Sequence, residues 1–518
     1  MLERNDWLGG AIRTAEITEP GYRHDVFSAW HPLWVGGPAH ARLGDELAAR
    51  GLAYLNTEFP SASLSGDGEA AFLLRSAPAT AAEFERHAAG DGVAWRAFVD
   101  AFSPNADLSF GLLGTELWSA AGGALLGRAL RRLGRRGLHE FAGSLLVSSR
   151  DWLCSCFESE AVRGLLAPWV LHAGLGPDAA TSGFMNQLIG LAVQDGGMPV
   201  PRGGGARLPE ALVRLIGDLG GECRTGAEVA SVLVSEGRAV GVRTVEGERV
   251  GARRAVIANV TPTQLYGRLL GDPDGAIPRA ARRFRYGRSE MQLHYALSEP
   301  PRWRGDERLG QTAIVHLTPG LDGVSRAVNE AERGLLPAEA TIVCGQPLTI
   351  DDSRAPTGAG LLWVQLQELP WRIKGDAAGE LDVGDGSWSE ELRESYADRI
   401  EERLGRHIEN LETSILRRHV LSPADLQRAN PNLERGDPYG GSLSLDQNFL
   451  WRPFPGQPGH RTPLDALWQI GASTWPGPGL GAGSGTLVAD ALLRPSSAER
   501  LARRLRRGPD GPPAERVP

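Results

Sequence analysis

Apolar positions recurring every three or four residues dominate from about Ala81 to Gln194, as in AAEFERHAAGDGVAWRAFVDAF and SSRDWLCSCFESEAVRGLLAPWVL, and this spacing predicts a block of helices. In LPEALVRLIGDLGGE the same period puts Leu208, Leu212, Leu215, Ile216 and Leu219 on one face, ahead of a stop at Gly220 and Gly221. The period then falls to two. VASVLVSEGRAVGVRTVEGERVGARRAVIA alternates, turns at Glu236-Gly237 and Glu246-Gly247, and ends in an apolar run from Ala255 to Ala258. That pattern predicts a β-meander feeding a buried strand. Residues 266–454 mix strand-like pieces, MQLHYALSEPP and LLWVQLQEL, with a helix in WSEELRESYADRIEERLGRHI. A short strand over 467–471 then runs through a glycine-rich turn into a helix starting near Gly483.

Composition narrows the class. The chain has 518 residues, 42% apolar and 23% charged positions and a net charge of −8, a balance that argues against a nucleic-acid binder. Cys154, Cys156, Cys223 and Cys344 are too few and too scattered for a disulfide framework or a zinc site, so a reducing compartment is expected. No signal peptide and no apolar run of roughly 18 residues is found, which predicts a cytoplasmic address. His24, His31, His294 and His316 lack metal-ligand spacing and are expected as buried, satisfied histidines. No nucleophile-elbow or cysteine–histidine pattern supports hydrolysis.

Two glycine-rich stretches carry candidate chemistry. The opening MLERNDWLGGAIRT sets Glu3 at the end of an apolar strand, where an acid in a nucleotide-binding βαβ unit accepts ribose hydroxyls. Gly9 and Gly10 follow, where backbone can approach a pyrophosphate that a side chain would block. Near the other end, LWQIGASTWPGPGLGAGSGTLVADALL reads as strand, turn and helix N-terminus, an arrangement that offers free N–H groups to a ligand. Within it, 477–482 formally matches G-x-G-x-x-A but lacks an acid at a following strand end.

Taken in order, LERNDWLGGAIRT, GGGARLPEALVRLIGDLGGECRTGAEVASVLV and LWQIGASTWPGPGLGAGSG resemble the phytoene desaturase-like family of FAD-dependent oxidoreductases, in its pyridine nucleotide-disulphide oxidoreductase domain-containing protein 2 branch. The resemblance implies an α/β fold, with an FAD-binding Rossmann-like domain interleaved with an α+β substrate domain. It places the FAD domain at 1–60, 200–265 and 455–495 and the substrate domain at 61–199 and 266–454. A basic, proline-rich tail at 496–518 is expected to be disordered. Carried onto this chain, the resemblance assigns Glu3 to the adenosine ribose, Gly9 and Gly10 to the pyrophosphate, and Val229 to the adenine edge. It sets Gly471, Ala472, Ser473, Trp475, Gly477 and Gly479 beside the flavin ring. Where relatives carry arginine after the paired glycines this chain has Ala11, and Arg13 is the substitute candidate. Lys374, the only lysine, lies in a polar loop and does not suit a flavin-facing role.

The implied activity is hydride removal from an apolar small molecule onto the flavin, desaturating or isomerising it. No catalytic side chain is singled out. The G-x-G-x-x-G turn is expected about 20 residues before Glu3, so the nucleotide domain reads as N-terminally incomplete. A misplaced start that omits roughly 30 residues, or a real truncation leaving a non-catalytic binding or scaffold protein, would each produce this. Two further candidates remain. Arg128, Arg131, Arg132, Arg135 and Arg136 lie among leucines as an amphipathic helix able to touch an anionic membrane peripherally, and Asp446 and Asn448 lie in a loop that could border the substrate cavity.

Overall fold

The computed structural model describes residues 1–271 and 276–493. The tail expected at 496–518 lies outside the described residues. The architecture rests on strands β1 (Ser61–Leu64), β2 (Ala70–Leu73), β3 (Val229–Ser235), β4 (Arg238–Thr244), β5 (Arg249–Gly251), β6 (Val256–Ala258), β7 (Ser289–Leu297), β8 (Ile314–Leu317), β9 (Ile342–Gly345), β10 (Gly360–Leu369), β11 (Ile415–Leu421) and β12 (Leu467–Gln469). Its principal helices are α1 (Pro38–Ala48), α2 (Ala120–Ser144), α3 (Arg207–Asp218), α4 (Glu390–Gly405) and α5 (Gly483–Leu493).

One seven-stranded sheet runs in the order β11-β7-β10-β9-β8-β1-β2, antiparallel throughout except for the parallel β8–β1 pair. Strands β7 and β10 are buried along their whole length. Their two-residue alternation separates two faces: Leu293, Tyr295, Leu297, Leu362, Val364 and Leu366 form an apolar one, while Gln292, His294, Trp363, Gln365 and Gln367 point the other way. The apolar face is covered by α4, whose Leu392, Tyr396, Ile400 and Leu404 recur every four residues, and whose first turn is capped by the Ser389 hydroxyl. Burying each of these large side chains contributes roughly 1.5–3 kcal/mol. The opposite face meets the predicted helical block, where Trp363, Ile314 and Val343 pack with Phe84, Trp95, Leu153 and Trp169.

The meander forms as its alternation predicts, β3–β4–β5, and Glu236 (φ 49°) with Gly237 (φ 74°) makes the turn with both central residues at positive φ. Other parallel pairings are short: β6 pairs with β12, and Leu2 forms an isolated bridge to Arg224. Two local expectations are corrected. Helix α3 ends at Asp218, so Leu219 falls beyond it and is 78% exposed rather than on the buried face. Helix α2 is interrupted at Gly134 (φ 68°, ψ −178°), where glycine alone tolerates the backbone.

On the α4 side of the sheet, buried Glu368 accepts hydrogen bonds from the Thr341 amide (2.8 Å) and hydroxyl (2.9 Å). Burial nevertheless pushes its carboxyl up to about 7, against those bonds and the charges of Arg288 and Arg403. A carboxyl that holds its proton more tightly in the folded state stabilises the protein while protonated, and that contribution is lost as pH rises. The melting temperature is therefore expected to fall between about pH 4.5 and 7, and Glu368→Gln should flatten that slope in thermal unfolding followed by circular dichroism.

Candidate cofactor site

Ligands in open α/β folds bind beyond the carboxyl ends of parallel strands. Three segments gather at that end here. The Leu2 strand leads into the turn over residues 3–10, β6 into 259–262, and β12 into 470–474. A loop over 429–432 ties them together: Asn5 Nδ2 donates to the Ala429 carbonyl (3.1 Å), Asn432 Oδ1 accepts from the Thr261 amide (3.1 Å), and Asn259 Oδ1 lies where a side chain on Gly471 would go.

Glu3 donates its amide to the Arg224 carbonyl and accepts the Ala227 amide on its own carbonyl, which brings the start of β3, with Val229, alongside it. One Glu3 carboxylate oxygen accepts the Asn5 amide (2.9 Å). Gly9 (φ 116°) and Gly10 (φ 58°) both adopt backbone that disfavours a side chain, and a Cβ on Gly9 would come within 2.6 Å of the Ile12 carbonyl. Arg13 stacks its guanidinium over the Trp7 ring (4.1 Å), while Trp7 Nε1 donates to the Gly10 carbonyl.

The cradle is then closed by a buried carboxylate that the sequence patterns did not reveal. Asp25 Oδ1 accepts the Thr14 hydroxyl (2.7 Å) and the Gly205 amide (2.8 Å), and Asp25 Oδ2 pairs with the fully buried Arg354 at 2.7 Å. Thr14 in turn accepts the Ala206 amide, so the segments around Thr14, Asp25 and Gly205 are tied together. His31 Nδ1 meets the Tyr54 hydroxyl, whereas its buried Nε2 has no partner among the described residues and lies near Gly205. Burial lowers His31 to about 4, so the ring is neutral at physiological pH.

On the far side, Gly471, Gly477 and Gly479 all lie at φ between 104° and 112°. The Ala472 carbonyl is held by buried Arg452, whose Nη2 also donates to the Tyr439 carbonyl (2.9 Å). Ser473 Oγ donates to the Gly440 carbonyl (2.6 Å). Trp475, 2% exposed, donates from Nε1 to the Leu112 and Thr115 carbonyls, and its own carbonyl is met by His460, itself held by Glu116 at 2.5 Å. A Cβ on Gly479 would strike Leu33 Cδ1 at 2.5 Å, and Leu480 packs beside Ile12 on the cluster around Trp34 and Leu208. The two predicted glycine stretches thus flank one another across α1 and α3.

Arg452 and Asp25 are the main residues missed by sequence reading. Their partners lie 13–20 and 11–329 positions away, and neither spacing follows a helix or strand period. Asp446 pairs with Arg285 at the surface, and Asn448 turns inward to the Leu443 carbonyl. The expectation of satisfied histidines is corrected: one ring nitrogen of each of His24, His31 and His316, and both of His294, are buried with no hydrogen-bond partner among the described residues.

Residues 71–392 match the family described as flavin containing amine oxidoreductase. The chain belongs to that family. Mouse pyridine nucleotide-disulfide oxidoreductase domain-containing protein 2 is 26% identical over 65% of this chain, and the chain spans 59% of that relative's length. A zeta-carotene-forming phytoene desaturase of Myxococcus xanthus is 27% identical over 62% of the chain and 57% of its own length. Among solved structures, an oxidoreductase from Methanosarcina mazei shares the fold with a TM-score of 0.54 and 14% identity, over 95% of this chain and 93% of its own. The cofactor is therefore FAD; at the candidate site Gly9 and Gly10 keep their backbone at positive φ, and His31 Nε2 is a buried nitrogen with no partner among the described residues. In a FAD-loaded preparation, Gly479→Val is expected to lose the flavin, read as visible absorbance per protein, while the far-ultraviolet circular dichroism stays unchanged.

Proposed function

We propose that the chain is an FAD-dependent oxidoreductase of the phytoene desaturase-like type, acting on an apolar small molecule by desaturating or isomerising it. The observation that supports this reading best is the closed backbone cradle at 9–14, 203–206 and 471–479, locked by Asp25 on one side and Arg452 on the other. Bound FAD would supply the acceptor for a hydride. The chain's own residues do the rest. Glu3, Gly9, Gly10 and Val229 would hold the adenosine diphosphate half; the 471–479 turn, with Ala472 and Ser473 fixed by Arg452 and Gly440, would orient the ring. Helices above the sheet exclude water from the space between. Anaerobic mixing of the FAD-loaded chain with apolar polyenes should either bleach the flavin's visible absorbance or isomerise the polyene; an unchanged spectrum together with unchanged polyene would remove this reading.

A peripheral membrane contact follows from a separate observation. The arm bearing α2 is anchored on Trp475 and exposes Trp118 (61%), Leu126 (59%) and Leu130 (43%) beside its arginines. Arg132 and Arg136 pair with Asp107 and Glu140, while Arg128, Arg131 and Arg135 make no ion pair among the described residues. Apolar side chains flanked by free cations complement an anionic lipid surface, each cation contributing about 1 kcal/mol near it. No helix among the described residues is long and apolar enough to cross a membrane. Co-sedimentation with vesicles rich in phosphatidylserine should weaken about tenfold or more when Arg128, Arg131 and Arg135 become glutamine.

A further inference from the structure

The sheet face turned away from α4 carries a row of polar side chains. Register places Gln292 opposite Gln365, Gln365 opposite Val343, and Val343 opposite His316, and Gln367 follows two residues along β10 on the same face. Glu290 joins the row by accepting from Gln292 Nε2 (2.5 Å). Gln292 and Gln367 are each no more than 3% exposed, and the side-chain oxygen of each has no partner among the described residues. Glu290 Oε2 and His316 Nδ1 in the same row also lack a partner among the described residues; a buried polar atom left unpaired costs about 1–3 kcal/mol, so four in one row call for an explanation.

The row's position supplies one. At one end, Gln292 Nε2 and Trp363 Nε1 both donate to the Phe27 carbonyl. Phe27 sits between Val26 and Ser28, whose amides bond the Arg13 and Ala11 carbonyls of the cradle. At the other end, Gln367 Nε2 donates to the Tyr439 hydroxyl (2.8 Å), and the Tyr439 and Gly440 carbonyls are tied through Arg452 and Ser473 to the 472–473 turn. The row is therefore linked at one end to residues 11–13 and at the other to residues 472–473. The two unpaired amide oxygens accept an uncharged O–H without desolvating an ion; an ammonium would need a carboxylate, and Glu290, whose Oε2 is unpaired too, is held toward its neutral form by burial.

We propose that the substrate is an apolar molecule carrying a hydroxyl group, and that its O–H donates to the Gln367 side-chain carbonyl, which sets which substrates bind, the Gln292 carbonyl being the second unpaired acceptor on the same face. This rests on the functional reading above and narrows its substrate class from hydrocarbons to alcohols. The test compares three probes of one ten-carbon skeleton, geraniol, geranylamine and 2,6-dimethylocta-2,6-diene, by isothermal titration calorimetry on the full chain with FAD added. Geraniol should bind at least tenfold more tightly than either of the others. Gln367→Leu should erase most of that preference, whereas Gln367→Glu, which keeps an acceptor, should retain the preference over the hydrocarbon and strengthen geranylamine. Because apolar replacement removes an unpaired buried acceptor, the melting temperature of Gln367→Leu should not fall by more than a few degrees, which separates lost recognition from lost folding. If Gln367→Leu does not fold, Gln367→Met carries the same comparison. Equal dissociation constants for the three probes, or an unchanged preference in the leucine variant, would overturn the proposal. Failure of all three probes to bleach the flavin would count against the redox reading alone, since the dissociation constants are read without turnover.

Discussion

A single buried carboxylate organises the side of the molecule proposed to hold the cofactor. Asp25 joins Thr14, Gly205 and Arg354, three segments separated by up to about 340 positions, through two hydrogen bonds and an ion pair at 2.7–2.8 Å. Arg354 is fully buried and also donates from Nε to the Arg23 carbonyl, so neither charge can be relieved by water. Removing one partner of such a pair leaves the other stranded at a cost of roughly 3–5 kcal/mol, which is why the arrangement acts as a fixed joint and not as a hinge. Both positive-φ turns on that side, at Gly9–Gly10 and Gly203–Gly204, depend on it for their relative placement.

Arg452 plays the corresponding part on the opposite side, under different electrostatics. It is wholly buried, its charge is disfavoured by burial, and the nearby Asp437 carboxyl opposes that effect. Asp437 is itself saturated by the Gly287, Tyr439 and Gly441 amides. The guanidinium therefore spends its donors on backbone carbonyls, which fixes main chain and leaves side chains free to vary. A fork of planar donors suits this task, where a lysine ammonium would bond fewer carbonyls with less directional control.

The elements were legible in the sequence wherever one periodicity decided them. The meander, α3, α4 and the strand–turn–helix around Gly471–Gly483 fall where their patterns place them. Leu219 was misplaced because a helical period cannot tell where a helix stops when glycines follow one residue later. The glycine turns of the cradle were visible as glycines, since only their backbone conformation matters there. Asp25, His31, Arg354 and Arg452 were not, because long-range partners leave no local trace: a charged residue beside Phe or Trp reads the same on a surface turn as in a sealed joint. The expectation that the histidines would be satisfied failed for a related reason, since satisfaction is a property of neighbours brought together by the sheet.

The two faces of β10 show how far period-two alternation carries and where it stops. Leu362, Val364 and Leu366 alternate with Trp363, Gln365 and Gln367, the pattern expected of a strand with one dry face and one wet face. Here both faces are buried. The polar set therefore lies against protein on a surface that adjoins the cofactor cradle, and its amides are only half paired. Stability can tolerate this because the opposite face, packed on α4, contributes several large apolar side chains at roughly 1.5–3 kcal/mol each against about 1–3 kcal/mol for each unpaired acceptor. A strand that holds the sheet together through one set of positions is thereby free to carry unpaired acceptors on the other, at the place where a bound molecule can meet them.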